Sequence, residues 1–153
     1  MNQSLRLSRP SSPSVQRKAP RYESIVVIDD DVDLLECLVL AFHTSFSEVA
    51  DFFDPEKAKA HILSSTNPTI ILSDYDIAPR RTGADIARET FEHRQEHNIP
   101  MIIHTGNGER ERLAELDKLA NEGLIHSGHI KTKGDIVAVI NAIRTGAPIK
   151  HLL

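Results

Sequence analysis

Residues 25–31 decide the fold, and they read Ile-Val-Val-Ile-Asp-Asp-Asp, four apolar β-branched residues followed by three carboxylates. Residues 69–74, Thr-Ile-Ile-Leu-Ser-Asp, repeat the arrangement of an apolar run that ends in Asp. Short apolar runs rich in β-branched residues are typical of buried strands. If both strands lie in one parallel sheet, their carboxyl ends bring Asp29, Asp30 and Asp74 to the same edge.

Carboxylates that lie close together repel one another, and each is then more readily protonated. A hard cation such as Mg²⁺ relieves this repulsion, because it prefers oxygen ligands. The pattern therefore predicts a Mg²⁺ site formed by Asp29, Asp30 and Asp74. Asp74 is the candidate nucleophile, because a carboxylate can accept a phosphoryl group once nearby charge is neutralised. Asp31 is better explained as a helix cap.

Strand and helix signals alternate along the chain from Ser24 onward. We predict strands at 25–29, 48–53, 69–74, 101–105 and, less distinctly, within 124–132. We predict helices from Asp31 or Asp33 to about Thr44, from Pro55, and over 84–97, 109–121 and 135–145. Such alternation indicates an α/β fold with a doubly wound parallel sheet covered on both faces. Ligands bind these sheets outside the carboxyl ends of the strands.

Two further polar groups are predicted at the same edge. Thr105 ends the fourth apolar strand and offers a hydroxyl to a phosphoryl oxygen, although it could simply suit a strand end. Lys131 or Lys133 follows the fifth strand and offers a cation, although either could be an ordinary surface lysine. We favour Lys131 because Ile130 precedes it as a strand residue would.

Composition limits the classes of function. The 153 residues suit one domain of ordinary size. Residues 1–23 carry five basic side chains and one acidic side chain, which gives this segment a charge of +4. Because the net charge of the chain is −4, the remaining residues carry −8. An acidic body does not indicate nucleic-acid binding, and no apolar run reaches the roughly 20 residues of a membrane span. We expect a cytoplasmic protein with Cys37 as a buried thiol.

The ends of the chain differ in composition from the predicted domain. Residues 1–23 form a basic leader rich in Ser and Pro, which we predict to be disordered because it can bury little apolar surface. The domain is predicted over 24–146, and 147–153 is predicted to be a short tail. With this division we expect no DNA-binding or catalytic output domain.

The motifs together resemble the signature of response-regulator receiver domains, the CheY-like modules that take a phosphoryl group from a sensor histidine kinase in two-component signalling. That family has an acidic pair after strand one and a phosphoacceptor Asp after strand three. It also has Thr or Ser with a small residue after strand four, and Lys after strand five. The matching residues here are Asp29-Asp30, Asp74, Thr105-Gly106 and Lys131 or Lys133.

The resemblance covers residues 24–146 and carries several expectations. It implies a flavodoxin-like (βα)5 sheet with strand order 2-1-3-4-5. It implies Mg²⁺ held by Asp30, Asp74 and the backbone carbonyl of Asp76, with Asp29 beside them. It also implies a stand-alone response regulator, phosphorylated on Asp74 by a histidine kinase or a histidine phosphotransfer protein, that signals through contacts with a downstream protein. Such a domain catalyses only its own phosphotransfer and dephosphorylation.

Two departures from the family pattern stand out. Pro79 and Gly83 each come one position later than the family proline and glycine that follow the phosphoacceptor, which indicates an insertion. No Phe or Tyr occurs after Phe91. The family's switch, in which an aromatic residue of strand five moves together with the Thr, is therefore not expected here.

Two other functions fit parts of the pattern. Asp74-Tyr75-Asp76 follows an apolar strand, as the D-x-D motif of haloacid-dehalogenase-like phosphohydrolases does, with Asp76 then acting as general acid and base. The acidic pair at 29–30 precedes this motif, whereas those enzymes have a later pair. A receiver-like module that binds partners without phosphorylation is the remaining alternative, and the missing aromatic residue favours it.

Overall fold

The computed structural model describes residues 22–106, 109–126 and 133–146, with the backbone alone at 133 and 134. Strands and helices alternate from residue 24 to residue 104, apart from one short hairpin and one helical stretch that is divided into two helices. The elements are β1 Ser24–Ile28, α1 Val32–Phe42, β2 Glu48–Phe52, α2 Pro55–Ser64, β3 Thr69–Asp74, β4 Asp76–Ala78, β5 Arg81–Thr82, α3 Gly83–Glu89, α4 Phe91–Glu96, β6 Met101–His104, α5 Arg110–Asn121 and α6 Lys133–Thr145.

The main sheet is parallel, with strand order β2-β1-β3-β6. Because β6 is the fourth strand of the sequence prediction, this order confirms the 2-1-3-4 part of the expected topology. The predicted fifth strand falls mostly on residues 127–132, which lie outside the described residues. Just before that gap, the backbone N–H of His126 donates to the carbonyl of Met101 at 2.7 Å, so the chain runs beside β6.

Both faces of the sheet are buried, as continuous apolar strands require. Alternate residues of each strand point to opposite faces. Val26, Ile28 and Ile71 pack in one apolar cluster with residues of α2, α3 and α5. Ile25 and Val27 pack in the other cluster with residues of α1 and α6. The helices therefore form one layer on each side of the sheet.

Helix starts follow local capping chemistry. The Asp31 side chain caps α1 by accepting from the backbone N–H of Leu34, and Asp54 caps α2 in front of Pro55. Thr82 and Asp85 form a capping box at the start of α3. No helix among the described residues is both long and apolar enough to cross a membrane.

Three expectations about local structure are wrong. The predicted helix over 84–97 breaks at Thr90, whose backbone leaves helical angles (φ −106°, ψ 2°) and whose hydroxyl donates to the carbonyl of Ile86 at 2.7 Å. The predicted loop after Asp74 contains the β4–β5 hairpin, so part of the connection between β3 and α3 is regular structure. Cys37 is exposed, because it lies on the opposite side of α1 from Leu35 and Leu38.

Candidate functional site

Three carboxylates meet at the carboxyl end of the sheet. Asp29 and Asp30 follow β1, Asp74 ends β3, and each offers an oxygen within 4.8 Å of the oxygens of the other two. The register explains this convergence, because Ile28 pairs with Ser73 and the next residues of both strands are therefore neighbours. Asp29 is buried, Asp30 is exposed, and the Asp74 side chain keeps 19% of its surface accessible.

Only one of the two carboxylate oxygens of Asp29 accepts a hydrogen bond from a described residue. Its Oδ1 accepts from the backbone N–H of Asp31 at 2.9 Å, and its own N–H donates to the carbonyl of Phe52. Its Oδ2 is buried and makes no hydrogen bond with any residue that the structure describes. A buried carboxylate oxygen without a donor is costly, so this oxygen suits a bound cation.

Asp74 is destabilised as an anion. Burial raises its pKa from 3.8 to about 6, His104 opposes this rise, and the negative charge of Asp29 adds to it. The backbone N–H of Tyr75 donates to Oδ1 at 2.7 Å, which partly stabilises the charge. A divalent cation beside Asp74 would lower the pKa of this carboxyl group, because the cation favours the ionised carboxylate.

His104 is a fourth titratable residue of this site, and sequence reasoning missed it. It pairs with Asp74 in the β3–β6 register, and its ring lies between Asp29 and Asp74. Its Nε2 lies 3.4 Å from Asp29 Oδ2, and its Nδ1 lies 3.7 Å from Asp74 Oδ1. The signal was present, since His104 is the one polar residue in the apolar run of residues 101–104 and directly precedes Thr105.

The structure describes some of the other predicted site residues and leaves others outside the described part of the chain. Thr105 is buried and directly follows β6, beside the strand that carries Asp74. Lys131 lies outside the described residues, and Lys133 begins α6 with its side chain undescribed. Asp76 begins β4, where its carboxylate pairs with Arg112 of α5. The roles of Thr105, of either lysine and of the Asp76 carbonyl stay predictions.

A polar network connects the loop after Asp74 with α5. The Tyr75 hydroxyl donates a hydrogen bond to the Glu115 carboxylate. The same carboxylate accepts a hydrogen bond from the Arg88 guanidinium, with 2.5 Å between Nη2 and Oε1. Arg112 pairs with Asp76 and stacks over the Tyr75 ring, 5.3 Å from its centroid. Burial, followed by the hydrogen bond to Glu115, raises the pKa of Tyr75 to about 12. Sequence reasoning missed these links, because charges at exposed helix positions do not reveal their partners.

The donor set fits Mg²⁺ in its chemistry. Mg²⁺ takes oxygen ligands and is usually held by one or two carboxylates together with waters and phosphate. Asp30 is exposed and Asp74 partly exposed, so water and a phosphoryl group could reach an ion there. The unpartnered Oδ2 of Asp29 is a further available oxygen.

Comparison with known proteins gives the fold. No family model matches the chain, and no curated protein matches it. The chain is similar to a solved structure described as an adenylate cyclase from Rhodopirellula baltica, at 27% identity and TM-score 0.66, over 80% of this chain and 87% of that one.

Two receiver structures are similar as well. One is a response regulator receiver domain protein from Clostridium thermocellum, at 22% identity and TM-score 0.65, over 85% of this chain and 98% of that one. The other is the chemotaxis response regulator CheY4 of Vibrio cholerae, at 15% identity and TM-score 0.63, over 80% and 98%. The chain therefore has the fold of response-regulator receiver domains, a parallel α/β sheet flanked by helices.

Proposed function

We propose that this protein is a response regulator that accepts a phosphoryl group on Asp74. The observation that carries the proposal is the convergence of Asp29, Asp30 and Asp74 at the carboxyl end of a receiver-type sheet. Surface charge alone does not explain this cluster, because Asp29 is 1% exposed and one of its oxygens has no hydrogen-bond donor among the described residues.

Each residue has a defined part in the proposed transfer. An oxygen of Asp74 attacks the phosphorus of a phosphohistidine, the phosphorus–nitrogen bond breaks, and an acyl phosphate forms. The donor histidine leaves as neutral imidazole, with the electron pair of the broken bond on the released nitrogen and its proton on the other ring nitrogen. Asp29 and Asp30 would hold Mg²⁺, which would neutralise charge between the two anions. Thr105 donates its hydroxyl to a phosphoryl oxygen, and Lys131 or Lys133 supplies an ammonium group.

The donor of the phosphoryl group is a sensor histidine kinase or a histidine phosphotransfer protein, as the receiver fold suggests. The output is contact with a downstream protein rather than turnover of a substrate. We place this activity in the cytoplasm, where two-component phosphorelays operate. The resemblance of the motifs and the fold of the receiver neighbours support these assignments.

Treatment with acetyl phosphate and Mg²⁺, followed by intact-mass measurement, tests the proposal. We expect the mass increment of one phosphoryl group on the native protein and on the control variant Asp51→Asn, whose carboxylate is exposed on β2. Asp74→Asn should gain no such increment. Equal labelling of native protein and Asp74→Asn would contradict the proposal.

The alternatives make different predictions. A module that binds partners without phosphorylation would take no increment under any condition. A phosphohydrolase would turn over a simple phosphate ester steadily, with Asp76 as its acid and base. That second alternative has less support, because the Asp76 carboxylate pairs with Arg112 and is 52% exposed.

A further inference from the structure

A cavity of about 390 Å³ opens at the amino end of β6, whereas Asp74 lies at the carboxyl end of the same sheet. Pockets that bind small molecules have volumes of about 300–1,000 Å³ and mostly apolar walls with a few polar groups. The walls of this cavity include the apolar residues Phe91, Ile99 and Ile125, and Arg94 also lines it. The cavity therefore combines apolar surface with a guanidinium group.

The hydrogen bonds of Arg94 leave one of its N–H groups without an acceptor. A guanidinium carries one N–H on Nε and two on each of the other nitrogens. Nε donates to Thr90 Oγ1 at 2.9 Å, and Nη2 donates to the carbonyls of Ala87 and Leu124 at 2.8 and 2.7 Å. Nη1 makes one long hydrogen bond, 3.4 Å, to the carbonyl of Ile99. Among the described residues, its second N–H has no acceptor.

The positive charge of Arg94 also lacks an opposite charge. All four acceptors are neutral, and no carboxylate of the described residues forms an ion pair with this guanidinium. Arg94 is 4% exposed, and burial lowers its pKa to about 10. Because a buried charge without an opposite charge is costly, an anion in the adjoining cavity would stabilise this arrangement.

We propose that the cavity beside Arg94 binds a small organic carboxylate, whose anionic group pairs with Arg94 and whose apolar body lies against Phe91 and Ile125. A carboxylate would accept the remaining N–H of Nη1 in a charge-assisted hydrogen bond. Inorganic phosphate suits the cavity less well, because the apolar walls would leave some of its oxygens without donors. This binding site is separate from the acidic site around Asp74.

An NMR titration of the full native chain with benzoate tests the proposal. The backbone amide signals of Ile99 and Leu124 and the side-chain Nε signal of Arg94 should shift and saturate, while the amide signal of Tyr75 stays unmoved. For a molecule of this size we expect a Kd of about 1 mM or tighter. Benzamide has nearly the same shape without the charge, so it should bind at least about tenfold more weakly.

A pair of variants adds a second measurement. Arg94→Met should weaken benzoate binding at least about tenfold, whereas the control Arg80→Met should bind as the native protein does, because Arg80 is exposed on the β4–β5 hairpin. If Arg94→Met fails to fold, the comparison of benzoate with benzamide on the native protein still decides. Equal affinities for benzoate and benzamide, unmoved signals of Ile99 and Leu124, or phosphate binding as tight as that of benzoate would overturn the proposal.

Discussion

Replacing Asp74 by Asn should stabilise the metal-free protein at neutral pH. The folded structure raises the pKa of Asp74 from 3.8 to about 6, mainly through burial. That difference corresponds to about 3 kcal/mol, and partial solvent exposure of the carboxylate reduces the expected gain to about 1–2 kcal/mol. Near pH 4 Asp74 is largely protonated in the folded protein, so its charge lowers the free energy of unfolding only slightly. As the pH rises through 6, the ionised group makes the native protein less stable.

Urea unfolding in EDTA at pH 4.5 and pH 7 measures this effect. The advantage of Asp74→Asn should be small at pH 4.5 and reach its full size at pH 7, while Asp51→Asn on exposed β2 should stay within about 0.5 kcal/mol of native. Adding Mg²⁺ should narrow the difference, because only the native carboxylate helps to bind the ion. If Asp74→Asn is no more stable than native protein at pH 7 in EDTA, the reasoning about the buried charge is wrong.

Three other substitutions probe the surroundings of the site. Gly83→Ala should lower the free energy of unfolding by about 1–3 kcal/mol, because a Cβ there would press against the Asp74 carbonyl and lie 2.8 Å from Ser73 Oγ. Gly106→Ala should be tolerated, because no atom of the described residues lies within 4 Å of the added Cβ. Equal urea midpoints for the two variants would contradict this. Glu115→Gln should lower the pKa of Tyr75 from about 12 toward 10. Ultraviolet titration measures this pKa, with Tyr22 as the internal reference. An unchanged pKa of Tyr75 would show that Glu115 has no influence on it. Arg94→Met should lower the free energy of unfolding in urea by about 2–4 kcal/mol, because the carbonyls of Ala87 and Leu124 lose their hydrogen-bond donor. A decrease below about 0.5 kcal/mol would contradict this role of Arg94.

The parallel α/β sheet and the acidic cluster could be predicted from the sequence because both depend on local signals, whereas the strand order was expected from the resemblance to receiver domains. Residues 25–28 and 70–72 are apolar and, apart from Leu72, β-branched, so they specify buried parallel strands. Once these strands are neighbours, the carboxylates that follow them must converge. The caps at Asp31 and Asp54 were predictable for the same reason, because a cap depends on two or three adjacent residues.

The remaining features depend on contacts between distant residues. The break at Thr90 requires the partnership of its hydroxyl with Ile86 and with Arg94 Nε, which no periodicity reveals. The pairing of Tyr75 with Glu115 joins residues 40 positions apart. His104 enters the site only because β6 aligns it with Asp74. Residue type alone does not indicate such registers.

Binding of beryllofluoride, which mimics an acyl phosphate, tests the central claim most directly. Fluorine NMR of the native protein should show a bound beryllofluoride signal that requires Mg²⁺ and disappears in both Asp74→Asn and Asp30→Asn. Asp51→Asn should keep the signal. A bound signal that persists in Asp74→Asn, or its absence from native protein with Mg²⁺, would contradict the account of Asp74 as phosphoacceptor.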